Sequence, residues 1–271
     1  MELERPRPDR DQLSSMTALV LITLSLVRLV SLPEFSFSFS TLGLLIEFKL
    51  NTRLMFLFLA AAMTTTGADW LVRSHPHFLP SNQTFPHWIV PMLAAYAGGA
   101  LVTQLPSGVP LWLGLGLIAL LLISVLIAEF IVVSPRDDRY ATATISIFAL
   151  AFLLLTGGYY VLRSADIRIL FSFPIIFIMT TAVSWRLLLL RSPELDILPH
   201  AISIGLVIAE IHAGLHYFPT PPLQEALILF ILSYAANGLM TLHLEGRITN
   251  RSLREYGLIS LAALLLVVFF L

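Results

Sequence analysis

The sequence predicts an all-α, polytopic integral membrane protein of about nine transmembrane helices. It also predicts a parallel internal duplication, with spans 2–4 equivalent to spans 6–8. Three observations carry this. The 271 residues are 57% hydrophobic and 12% charged, with mean hydropathy +0.86. Soluble domains are usually about 45–50% apolar and about 25% charged. One core cannot hide so much apolar surface from water, whereas a bilayer takes it readily. Second, apolar stretches near the length of a bilayer crossing recur along the chain. Third, an ordered series of similar phrases repeats at nearly constant spacing.

The elements follow in order. Residues 1–15, MELERPRPDRDQLSS, form a polar tail on the cytoplasmic side. No small-residue cleavage site follows, so the first apolar run reads as a retained span rather than a signal peptide. Spans are expected at about 16–32, 53–73, 88–105, 110–133, 141–162, 167–190, 198–217, 222–243 and 254–271, each close to the roughly 20 residues a crossing helix needs. The piece FSFSFSTLGLLIEFKL, 35–50, is shorter, alternates Phe with Ser and carries Glu47 and Lys49. It reads as an interfacial or re-entrant segment. The domains expected are a first helical repeat over 16–133 including that segment, a second over 141–243, and an extra C-terminal helix over 254–271.

Positive charge sets the orientation. With nine spans and the N-terminus inside, the inner segments hold Arg5, Arg7, Arg10, Arg73, Arg136, Arg139, Arg186, Arg191, Arg247, Arg251 and Arg254. The outer ones hold Lys49, Arg53, Arg163 and Arg168, while Arg28 lies within span 1 and is expected to snorkel. A tenth crossing at 35–50 would reverse this bias. The expected placement is a bacterial cytoplasmic membrane, N-terminus inside and C-terminus outside.

The repeat is read from paired phrases. MTTTGADW (63–70) is echoed by MTTAVSW (179–185), Arg53 by Arg168, Arg73-Ser74 by Arg191-Ser192, and Pro86-His87 by Pro199-His200. QLPSGVPL (104–111) is echoed by YFPTPPL (217–223). Four spans separate equivalent helices, an even number, so the two halves run in the same direction. Thr64, Thr65 and Trp70, with their counterparts Thr180, Thr181 and Trp185, are expected to be helix contacts, because small and hydroxyl side chains let helices approach closely in lipid. A hydroxyl-lined pathway is the alternative use of the threonines.

Ionisable groups inside spans are costly in hydrocarbon, so each is a candidate site. Glu210, near the middle of span 7, and His212 beside it are expected to bind substrate or a proton. They lie two residues apart and therefore on different helix faces. His212 and His216 share a face, but two ligands from one helix do not complete a metal site. Asp69 is expected to form a structural ion pair with Arg186 if the halves face each other. Glu129 sits one turn from the end of span 4, where it could reach interfacial water. Together with His243, the charged groups Asp69, Glu129 and Arg186 also share a depth that would suit an enzyme acting on a lipid-linked substrate.

Other chemistry is absent. There is no cysteine, which excludes disulfides and thiolate ligands. The net charge of −1 offers nucleic acid no basic surface. No phosphate-binding glycine loop, dinucleotide fingerprint or nucleophile elbow is written in the chain. No cofactor and no metal is expected. The functional expectation is a small secondary transporter, possible proton coupling included. The alternatives are a non-catalytic subunit of a larger membrane complex and an intramembrane enzyme. Expected partners are membrane lipids and either a membrane-protein partner or a second copy of the chain.

Overall fold

The computed structural model describes residues 6–30, 35–41, 44–79, 83–192 and 195–270. Arg5, Asn82 and Leu271 lie outside the described residues, as do the side chains of Arg28, Glu47 and Lys49. Nine helices occur among the described residues: α1 (Arg10–Leu29), α2 (Thr52–Arg73), α3 (Phe85–Val102), α4 (Val109–Ile131), α5 (Tyr140–Ser164), α6 (Ile169–Arg191), α7 (Leu198–Leu215), α8 (Pro222–Leu244) and α9 (Asn250–Phe270). Eight of them, α2 to α9, are long and apolar enough to cross a membrane. The chain is an all-α, multi-pass integral membrane protein.

Local chemistry places the helix starts. Asp9 accepts the Asp11 amide before α1, and Asn51 accepts the Leu54 amide before α2, at 2.9 Å each. Prolines stand in the first turns of α4, α7 and α8, where a missing amide hydrogen costs nothing. Gly108, just before α4, has φ +102°, a backbone conformation that side chains resist. α3 is less regular. A tight first turn at Phe85–Trp88 and a wider one at Ala94–Gly98 interrupt it.

The segment expected to be interfacial or re-entrant is a β-hairpin. β1 (Phe35–Thr41) pairs antiparallel with β2 (Leu44–Leu50), from Phe35↔Leu50 to Thr41↔Leu44. Alternating Phe and Ser has the period of a strand, two residues, and that period prevails over the helical setting.

The chain divides into two compact units, 1–137 and 138–271. The division falls in the polar turn between α4 and α5. In the first unit α1 packs along α2, and both touch α4. Met16, Ala68, Leu71, Leu126 and Phe130 form its buried cluster. Gly99 lets α3 lie against Leu24 and Leu57, since a methyl group there would come within 2.8 Å of both. In the second unit α6 packs along α7, α5 along α8, and α9 lies on α8 through Ile228, Ile231 and Val267.

Candidate functional site

A buried polar cluster in the second unit gathers at one end of four helices. Glu225 is the fourth residue of α8 and only 1% exposed. Its Oε1 lies 2.6 Å from His212 Nδ1, on the last turn of α7. Its Oε2 receives Arg163 Nε at 2.8 Å from the end of α5, and the Thr220 hydroxyl at 3.4 Å. The far nitrogen of the imidazole, Nε2, is 2.9 Å from Ser172 Oγ, in the first turn of α6. Arg163 also donates to the Phe218 carbonyl at 3.1 Å, and His216 flanks His212 with its ring centroid at 5.9 Å.

The loop between α7 and α8 explains why the pair meets. It spans only 216–221, so the two helices return antiparallel. His212 lies three residues before the end of α7 and Glu225 three after the start of α8. They therefore sit at one depth. The charges are matched: a buried carboxylate is tolerated when paired and hydrogen-bonded. In the tautomer that carries its hydrogen on Nδ1, the His212 ring donates to Glu225 and Nε2 accepts from the Ser172 hydroxyl.

A second polar cluster lies deeper on the same helix faces. Ser172, Ile176, Thr180 and Ser184 follow one another every fourth residue on α6, and all are buried. Glu225, Leu229, Ser233 and Asn237 do the same on α8. Tyr159, one turn before Arg163 on α5, lies 2.7 Å from the Thr180 hydroxyl and 3.0 Å from that of Ser233. Asn237 donates to Ser184 Oγ at 3.0 Å. Buried Ile176 on α6 and buried Leu229 on α8 stand one turn along from Ser172 and Glu225, between the end cluster and this hydroxyl ladder.

The first unit holds a related pair. Glu129, near the end of α4, is 1% exposed and lies 2.8 Å from His87 Nδ1 at the start of α3. Glu129 was expected within reach of interfacial water; it is instead enclosed and bound by a histidine. His75 is buried with its ring 4.6 Å from Phe130.

The remaining expected residues separate. Glu210 is exposed, on the outer side of α7, and makes no hydrogen bond or ion pair with the described residues. It is five residues from the end of α7 rather than central. His212, two residues on, faces inward. Asp69 is held by Arg73 at 2.7 Å and by the Trp88 indole at 3.2 Å. Arg186 is buried on α6. Thr64 and Thr65 return their hydroxyls to their own helix, at Ala60 and Ala61. Thr180 enters the ladder, Thr181 packs over Gly205, Trp70 is exposed and Trp185 half-buried.

Sequence reasoning singled out neither Glu225, Ser172 nor Arg163 as a site residue. Arg163 entered only as a charge near a boundary. The four-residue stride of polar groups on α6 and α8 was the available signal.

Residues 32–270 match the model of the DUF5656 family, described as a protein of unknown function. No curated protein matches the chain, and no solved structure does.

Proposed function

We propose that this protein, which belongs to the DUF5656 family, is a secondary carrier coupled to protons, with His212–Glu225 as its proton-binding group. One observation supports the reading above the others: a carboxylate enclosed in a membrane bundle is shared between an imidazole and a guanidinium. Intramembrane titratable groups of this kind recur in proton-driven transport. The groups that face the pair are Arg163 from α5, Ser172 from α6 and His216 from α7. The ladder of Tyr159, Thr180, Ser233, Ser184 and Asn237 extends donors and acceptors along the bundle axis. Apolar Ile176 and Leu229 lie between the two clusters along α6 and α8, an interval that a route opening in steps would cross. Glu210 drops out of this assignment because it faces away from the pair.

The test needs no knowledge of the cargo. Proteoliposomes adsorbed on a supported membrane receive a pH step, and the transient charge movement is recorded. Wild type is expected to give a transient, and Glu225→Gln and His212→Gln to abolish it. A transient of wild-type size from either variant, in protein that unfolds at the wild-type temperature, overturns the assignment.

Two further readings belong with this one. The parallel duplication and the N-inside orientation rest on the paired phrases and the arginine distribution. Labelling of cysteines placed at Arg73 and Arg191 should find both on one side of the membrane. A subunit role is favoured by α9, which packs chiefly on α8 and exposes Leu258, Ile259, Leu265 and Phe269.

A further inference from the structure

We infer that Ser172 is a nucleophile activated by His212, and that it acts on the ester carbonyl of a membrane lipid. This goes beyond ion coupling and does not depend on it, although the same imidazole serves as the base. The geometry is directional. Ser172 Oγ lies 2.9 Å from His212 Nε2, and Nδ1 lies 2.6 Å from Glu225. A hydroxyl, an imidazole and a carboxylate in that order are the parts of an acyl-transfer site: nucleophile, general base and orienting acid. Arg163 and Thr220 hold the second carboxylate oxygen, so Glu225 cannot turn away from the ring.

Depth gives the substrate class. α6 has 23 residues and is therefore about 34 Å long, slightly more than the roughly 30 Å of hydrocarbon it crosses. Ser172, in its first turn, lies near the edge of the hydrocarbon, where the acyl esters of lipids lie. Ser172 is buried, so a carbonyl reaches it only when the turn above it moves. Pro174 stands two residues on, inside the helix. It removes the amide that would bond the Leu170 carbonyl and loosens this turn from the rest of α6.

The chemistry balances with water as the only co-reactant. Ser172 Oγ attacks the carbonyl carbon as its proton passes to His212 Nε2. The carbon–oxygen bond to the lipid alcohol breaks, and the alcohol leaves with that proton. Water then gives a proton to His212 and attacks the acyl-serine. The bond to Ser172 breaks, its oxygen recovers the proton, and the acid is released.

The test is covalent labelling of the full chain in detergent and in liposomes. An alkyl fluorophosphonate and the smaller phenylmethanesulfonyl fluoride are used, read by intact mass and peptide mapping. The expected result is one adduct, on Ser172, lost in Ser172→Ala and formed at least about 100-fold more slowly in His212→Gln. Ser172 unmodified by both reagents in folded protein overturns the inference. So does an equal labelling rate in wild type and His212→Gln. Charge movement after a pH step is recorded on the same wild-type preparation. Movement without labelling removes the nucleophile alone, and labelling without movement removes the carrier alone.

Discussion

Each unit of this protein buries a glutamate against a histidine, and the two pairs differ in how they are enclosed. In the second unit His212 and Glu225 are both 2% exposed or less, come from a hairpin of adjacent helices, and are joined by Arg163. In the first unit the histidine, His87, keeps 15% of its side chain exposed and meets Glu129 from 42 residues away. The second pair lies beside the connecting loop, whereas the first lies at the helix ends away from it. The same donor and acceptor chemistry therefore has two settings: one sealed at both residues, the other open at its histidine. Enclosure raises both the strength of the interactions and the penalty for losing one partner.

That difference can be broken by mutation. Arg163→Leu leaves the Glu225 carboxylate buried with one partner fewer, and should cost about 3–5 kcal/mol. Denaturation in mixed micelles measures it, and a loss below about 1 kcal/mol would mean that the second unit is no more tightly closed than the first. Glu129→Gln removes one charged partner from a histidine that keeps 15% of its side chain exposed. A smaller loss, about 1–3 kcal/mol, is expected in the same titration. Were it to exceed that of Arg163→Leu, the ranking of the two pairs would be reversed. Glu210→Gln alters an exposed side chain with no partner among the described residues. It should stay within about 0.5 kcal/mol of wild type and leave the pH-step transient unchanged. A vanished transient would move the proton site to the outer face of α7.

The spans were legible because hydrocarbon imposes one strong rule, that about 20 apolar residues must run as helix. Their boundaries at α2 to α8 follow from prolines and polar turns written beside them. The hairpin at 35–50 was harder to read, because seven alternating residues carry a weaker signal than an apolar run. Among the site residues, His212 was visible as an ionisable group in lipid, but so was Glu210, and hydropathy ranks both alike. Which of the two faces inward depends on the rotation of α7 against α6 and α8, a property of packing. Glu225 carries no distinct signal in the sequence because it lies near a span boundary, where charges are ordinary.

By itself, the sequence determined that this chain dwells in a membrane and roughly where its apolar helices run. Those are properties of single segments, fixed by transfer free energy and helix caps. Only the tertiary structure decided that Ser172, Arg163, His212 and Glu225 converge while Glu210 stands apart. Convergence requires four helices to share depth and orientation, and no local stretch of sequence encodes that.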